Sequence, residues 1–461
     1  MDRVSLTAEY LAELAEGKPT TSELLGGLPE NKILNSDKPN GRGQWLSRPL
    51  FLGREEHTRL AADLDHLLTA LASLPERLFG GDFAAFARAG GLNEVQVAAV
   101  MSNRGATMTR QTRADMICDG EGFKLLELNI GSAVGGMDNV DVCRELLAHP
   151  TLSAFAERHG LTFRDSLREQ VTNILVESGF TERDRPVVAL TEWPTVFENE
   201  IPYMTQLCER WGELGLEAYP AHLGQLEVRD GRVWLRDRPV DIIVRTFLIR
   251  DVLAPDAELL TRPVFEAADR GEVKVFTPLD TTAYASKGAL AMLSDERNRE
   301  LFAPEVLESL DRILPWTRMV RPGTVTLEDG ARVDLLTYAV EHREELVLKP
   351  TSLSGGKGVV LGWADEVTPE RWREHLDEAL GSPYVIQRRI RSVLESVPAE
   401  DGGLRRFRPV WGIVTGVNGF TGASVRAIPE SSGDVVVNVA HGAHVGGVLH
   451  QVAQADPDPA A

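Results

Sequence analysis

The chain has 461 residues, 43% of them apolar, a formal net charge of −20 and only three cysteines. That length predicts two or three packed units, and the acidic balance excludes a nucleic-acid face, which needs clustered Lys and Arg to neutralise phosphates. No apolar run approaches the roughly 18 residues that span a bilayer, the N-terminus lacks an apolar h-region, and Cys118, Cys143 and Cys208 have no CxxC spacing. The expectation is a cytoplasmic protein in a reducing compartment, with no membrane or nucleic-acid partner and no disulfide framework.

Residues 1–48 are polar and rich in turn formers ("LGGLPENKILNSDKPNGRGQ") and read as a loose lead-in. Leu60, Leu64, Leu67, Leu68, Leu71 and Leu74 recur at helical spacing, which predicts an amphipathic helix over 54–74 that stops at Pro75. From residue 186 the pattern alternates. Strands are predicted at "PVVALTEW" (186–193), "LEAY" (216–219), "VDIIVRTF" (240–247) and "VKVFTPL" (273–279), with helices between, one carrying Met204, Leu207, Cys208, Trp211 and Leu214 before Gly215. This is a β/α layer with a parallel sheet. Its first turn, "TEWPTVFENE", has no GxGxxG and so no dinucleotide site. Beyond 285 come a helix ("SKGALAMLSDERNRELF"), Trp316 as a core residue, the strand "YVIQRRI" (384–390), strand-like "RPVWGIVTG" and "DVVVNVAHG", and a polar, disordered tail.

"TRADMICDGEGFKLLELNIGSAVGG" (112–136) reads as a β-hairpin, two alternating runs around "DGEG". With a loop at 120–122, Asp115 faces Glu127 and Arg113 faces Asn129, and because side chains alternate along a strand all four share one patch. Two carboxylates and an amide oxygen are hard ligands suited to Mg²⁺. Without a cation, opposed carboxylates would repel. A solvated polar face with Arg113 as counter-ion is the competing reading.

"LVLKPTSLSGGKGVVLGW" (346–363) fails as a P-loop: Thr351 stands where the first glycine belongs and Gly358 where the Ser/Thr belongs. By itself it is a strand, a glycine turn and a second strand. Together these blocks resemble the circularly permuted ATP-grasp ligases, specifically the synthetase domain of glutathionylspermidine synthase and eukaryotic-type glutathione synthetase. The resemblance covers about 113–445 in scattered blocks: R-x-D, E-x-N twelve residues on from the aspartate, "SKGALAML", "VLKP" with its glycine loop, and "YVIQRRI".

The resemblance implies a mixed α/β chain with an ATP-grasp fold, circularly permuted, and a Rossmann-like pre-ATP-grasp substrate domain. Its implied division is a lead-in and helical segment (1–110), a permuted part carrying the Mg²⁺ site (111–185), the Rossmann-like domain (186–284), the ATP-binding region (285–450) and a disordered tail (451–461). It implies ATP and Mg²⁺ as cofactors, Asp115, Glu127 and Asn129 as metal ligands, and Arg113 as the catalytic cation on the acyl phosphate. Lys287 and Lys349 would hold ATP phosphates, and Ser354, Gly355, Gly356, Lys357 and Gly358 would form the flap over them. Gln387, Arg388 and Arg389 would sit where backbone groups meet adenine, with Arg426 and Asn438 as secondary candidates. One departure stands out: "TSLSGG" carries no acid where glutathione synthetases place a metal-binding glutamate, so Asp115 must supply that charge.

The activity so implied is ADP-forming carboxylate–amine ligation through an acyl phosphate, on an amino acid or small peptide, with the identity of acid and amine left open and a homodimer left open. Two other classes compete. A dikinase-type phosphotransferase needs a phosphorylated histidine, for which His441 and His444 are the candidates; their HxxH lacks a third metal ligand. A non-catalytic nucleotide-binding scaffold would be expected to have lost the lysines or the acids. Asp241 and Arg245 share a strand face and read either as cleft lining or as a buried ion pair.

Overall fold

The computed structural model describes residues 1–35, 44–255, 257–353, 355–433, 436–439 and 442–452. It opens with a helix, α1 (Arg3–Gly17), capped by the Asp2 side chain accepting from the Ser5 amide. Leu6, Tyr10 and Leu14 recur at i, i+4 and are buried. Tyr10 meets Phe51 and Phe155 at ring-centroid distances of 5.6 and 5.1 Å. A short helix at Thr21–Leu25 follows, opened by a Thr20/Glu23 capping box. Residues 1–35 are therefore part of the fold, which corrects the reading of a loose lead-in. The apolar stripe is only one residue wide, and turn-rich composition downstream of it masked the period.

β1 (Leu50–Leu52) leads into α2 (Arg54–Phe79), whose predicted leucines are all buried. The helix passes through Pro75 instead of ending there: a proline deletes one backbone donor, and burial of Pro75 in the apolar face outweighs that loss. Gly80, at φ +58°, ends it with its amide on the Glu76 carbonyl.

β2 (Thr112–Cys118) and β3 (Phe123–Ile130) form the expected hairpin. β4 (Val188–Glu192), α3 (Pro194–Glu213), β5 (Ala218–His222), β6 (Ile242–Arg245) and β7 (Lys274–Phe276) follow. These four strands make a parallel sheet in the order β7–β6–β4–β5. α4 (Lys287–Ser294) is shorter than predicted: Asp295 breaks it and caps a 3₁₀ turn at Glu296–Leu301 with its carboxylate on the Arg297 amide.

β8 (Thr317–Met319), β9 (Leu346–Pro350), β10 (Val360–Leu361) and β11 (Tyr384–Arg388) make a small antiparallel sheet, ordered β8–β11–β9–β10. The chain then returns to the hairpin. β12 (Glu395–Pro398), β13 (Leu404–Gly416), β14 (Gly419–Pro429) and β15 (His444–Gln451) join the early strands in one eight-stranded sheet. Its main path runs β1–β15–β14–β13–β2–β3; β12 pairs with β13, and Leu161–Thr162 with β15. The strand expected at 434–442 is not formed at 436–439; strand structure lies instead at β14 and β15. Gln451 still belongs to β15, and the tail from 453 lies outside the described residues.

Leucines of α2 pack with Met116, Leu128, Trp411 and Ile413 on one side of the large sheet. α1, Phe155, Trp211, Val188 and Ile242 share a second core, which joins the large sheet to the parallel one. Trp316, fully in the core as predicted, packs with Leu348, Trp372 and Ile386 behind the small sheet.

Candidate functional site

The hairpin register is the one read from the sequence at the residues that matter: Arg113 opposes Asn129 and Asp115 opposes Glu127. It arises differently from the expected route. The loop spans 119–122, with Asp119 Oδ1 accepting from the Glu121 and Gly122 amides at 2.9 and 3.0 Å, so near the turn Met116 pairs with Leu125. A bulge at Leu126 then restores the register. The bulged carbonyl accepts from Lys349 Nζ at 3.0 Å.

Asp115 is a hub of cations. Its Oδ1 accepts from Arg113 Nε at 2.8 Å, and its Oδ2 accepts from Arg426 Nη2 at 2.7 Å and Asn129 Nδ2 at 3.3 Å. Its side chain is 4% exposed. Burial alone would raise this carboxyl, but the guanidinium groups of Arg113 and Arg426 outweigh it and hold the group below the usual carboxylate range. Arg113 also donates to the Val134 and Gly135 carbonyls. Gly412 on β13 makes room for it: a Cβ there would stand 3.1 Å from Arg113 Cδ.

The two lysines arrive from different elements. Ser286 caps α4 through the Gly288 amide, and the Lys287 amide donates to Thr351 O at 2.9 Å, which fastens the helix start to the end of β9. Lys287 Nζ lies 3.1 Å from Glu127 Oε2 and 3.0 Å from Leu353 O. Lys349, on β9, donates to Gln387 Oε1 at 2.6 Å. Burial first, then the neighbouring Lys287 charge, pulls its ammonium down to about 7, with Glu127 opposing.

Gln387 thus holds Lys349 and, through Nε2, Thr317 Oγ1 at 3.0 Å. The Arg388 and Arg389 amides donate to the Trp316 and Glu345 carbonyls, at 2.9 and 2.8 Å. The Arg388 guanidinium pairs with Glu328, and that of Arg389 stacks 4.2 Å over Trp363. In the glycine loop Gly355, Gly356 and Gly358 all have φ near +70°. Lys357 is exposed, and Ser354 lies outside the described residues. The loop leans on the segment 436–439: Asn438 Nδ2 donates to Gly355 O at 3.1 Å, and a Cβ on Gly356 would meet Val436 at 2.6 Å.

Asp115, Glu127, Lys287, Lys349, Gly355, Gly356, Gln387, Arg388, Arg389, Arg426 and Asn438 line one cleft of about 310 Å³, contributed by the small sheet and the large one; Arg113, Asn129, Lys357 and Gly358 are not among its lining residues. Ile117, Leu126, Val347, Leu361 and Val410 form apolar walls; Asp115, Glu127, Lys287, Lys349 and Arg426 form a charged end. Arg408 and Trp363 line it too and escaped sequence reading. The alternation of Arg408, Val410 and Gly412 along β13 was the available signal for the first.

The donor set fits Mg²⁺ chemically: two carboxylates and the Asn129 carboxamide, whose Nδ2 is spent on Asp115 and the Arg113 carbonyl and whose Oδ1 remains an acceptor. Among the described residues no three His, Cys, Asp or Glu gather as a ligand cluster. His444 packs edge-on to Phe407, centroids 5.0 Å apart, and lines a groove with Trp45 apart from the cleft; His441 lies outside the described residues.

Asp241 and Arg245 do not pair. Asp241 accepts from the Val187 amide, while buried Arg245 donates to the Thr277 carbonyl at 2.7 Å and is lowered by burial to about 10. Four residues of strand separate them by about 13 Å, too far for an ion pair. Glu192, at the end of β4, is a buried carboxyl raised by desolvation that the sequence did not flag.

The backbone arrangement is similar to that of a glutathione synthetase-like effector from Globodera pallida. The match covers 91% of this chain and 96% of that one, at 12% identity and a TM-score of 0.56. The two share a fold. At that identity the likeness is one of architecture. A candidate gamma-glutamylcysteine synthetase from Methylobacillus flagellatus aligns at 13% identity over 84% of this chain and 88% of its own, TM-score 0.42. A D-cycloserine synthetase aligns at 14% over 57% and 91%, TM-score 0.24. No family model and no curated protein sequence matches. No helix among the described residues is long and apolar enough to cross a membrane.

Proposed function

We propose that the chain is an ATP-dependent, ADP-forming carboxylate–amine ligase of the permuted ATP-grasp type, acting on an amino acid or small peptide. One observation carries this reading. Two buried lysines from separate elements, Asp115, Glu127 and Arg426 line the same cleft as the aliphatic side chains of Ile117, Leu126, Val347, Leu361 and Val410, with Arg388, Arg389, Arg391 and Arg408 adding further positive charge. A nucleotide has that polarity: base against aliphatic side chains, phosphates against cations.

Amide formation from a free carboxylate needs activation, here as an acyl phosphate that an amine attacks. Lys287 and Lys349 bind phosphate oxygens as ammonium groups, exchanging Glu127, Leu126 and Gln387 for the ligand. Glu127 and Asn129, with Asp115, would hold Mg²⁺, which supplies charge neutralisation to the phosphates when bound. Arg426, tied to Asp115 and lining the cleft, presents a fixed guanidinium group to a carboxylate or acyl phosphate, whereas Arg113 would have to exchange its Val134 and Gly135 carbonyl partners to reach the same group. The glycine loop and the segment at 436–439 exclude water from the cleft. The protein supplies no nucleophile.

The test is ATP-to-ADP turnover screened against carboxylates and amines, with mass detection of the conjugate. Lys349→Ala is expected to abolish turnover. ADP release with no conjugate for any pair would overturn the ligase reading.

A further inference from the structure

Glu395 is a carboxylate shared by two guanidinium groups from the N-terminal segment: Arg3 Nη1 lies 3.1 Å from Oε1 and Arg48 Nη2 lies 2.8 Å from Oε2. All three are buried, at 4% (Arg3), 0% (Arg48) and 6% (Glu395) exposure. The same segment holds β12 by its carbonyls, with Arg48 Nε donating to Ser396 O at 2.7 Å and Ser47 Oγ to Pro398 O at 2.8 Å. Arg3 reaches one strand further, its Nη2 donating to Cys118 Sγ at 3.0 Å.

The location gives this clamp a function. β2 and β12 lie end to end along the same edge of β13, with Met116 opposite Trp411 and Glu395 opposite Phe407. The chain crossing from the small sheet to the large one, residues 389–394, passes through the gap between them, and Val393 donates to Cys118 O at 2.9 Å. Ile390, Ser392 and Leu394 of that crossing line the cleft. Arg3 therefore grips both ends of the gap: the strand that carries Asp115 and the strand that anchors the cleft wall. A buried ion triad is poor as a source of stability and well suited to fixing one register among several.

We propose that Arg3, Arg48 and Glu395 are positioning residues for the nucleotide, so that the N-terminal segment sets the width of the cleft without touching its occupant. This rests on the proposed nucleotide function of the cleft. Release of Arg3 leaves β12 held by Arg48 but breaks its tie to Cys118 on β2, and the wall at 390–394 loses its fixed distance from Ile117.

Calorimetric titration with ATP and Mg²⁺, without other substrates, tests this on the full chain. Arg3→Ala is expected to raise the Kd about tenfold, within the range of couplings carried through packed side chains. Arg3→Lys, which keeps the charge on Glu395, recovers most of that loss. Leu14→Ala weakens packing of the same helix without reaching Glu395; it should lower the melting temperature and leave Kd unchanged. Equal Kd for Arg3→Ala and wild type, or equal weakening by Leu14→Ala, overturns the positioning role. A second measurement needs no variant: by reciprocity, ATP must slow hydrogen exchange in the first turn of α1 as well as at 390–394. Protection confined to the cleft refutes the coupling, whereas a wild type that binds no ATP overturns the nucleotide reading itself.

Discussion

Asp115→Asn is the substitution that separates a metal ligand from a structural hub. In the wild type one carboxylate, 4% exposed, accepts from Arg113, Arg426 and Asn129. Removing its charge leaves two arginines, with side chains 15% and 22% exposed, without their shared counter-ion. Breaking a buried pair costs about 3–5 kcal/mol, and asparagine keeps one oxygen acceptor, so a loss of about 3 kcal/mol is expected. Glu127→Gln is the comparison: that side chain is 25% exposed and has one ion pair, with buried Lys287, where Asp115 has two, so its stability cost should be smaller, about 1–2 kcal/mol. Both variants should lose turnover. Urea unfolding followed by circular dichroism, at unchanged m, reads the difference as a larger midpoint shift for Asp115→Asn than for Glu127→Gln. Equal midpoints for the two variants would refute the hub, and Asp115 would then be an ordinary ligand whose arginine contacts contribute little.

Lys349, lowered to about 7 by burial and the Lys287 charge, must be an ammonium to meet phosphate, so ATP binding at pH 8 should take up about one proton. Titration calorimetry in buffers of different ionisation enthalpy measures this, and a heat independent of buffer contradicts it. His450 stacks on His57 at 4.4 Å, and burial, then His57, push it down to about 3. Its folded value lies below the unfolded one near 6.5, so the folded state binds fewer protons between them. Stability is therefore complete above about pH 6.5 and falls with acid, by up to about 1.4 kcal/mol per pH unit from this group. His450→Phe should flatten urea midpoints measured between pH 7 and 5; an unchanged slope would count against the pair as its source.

What local order determined is legible in particular residues. The leucines of α2 face one core because their period is helical, and β4 to β7 form a parallel sheet because buried strands alternate with helices. The facing of Asp115 and Glu127 follows from the strand period of two, although a four-residue loop and a bulge had to compensate one another to deliver it. Lys349 ends an apolar strand as its sequence announces.

The remainder required the chain to fold. Asp115 and Arg426 are 311 residues apart, and neither residue's neighbours encode the other; they meet because β2 and β14 flank the same strand. The carbonyl that receives Lys349 belongs to a bulge, and a bulge is a property of two strands together. The stop at Pro75 was overridden by burial, and α1 was hidden because its narrow stripe acquires meaning only against Phe51 and Phe155. Period and turn chemistry act within a few residues and can be read from order alone, whereas a cleft is made of contacts between segments whose separation in the chain carries no local signal.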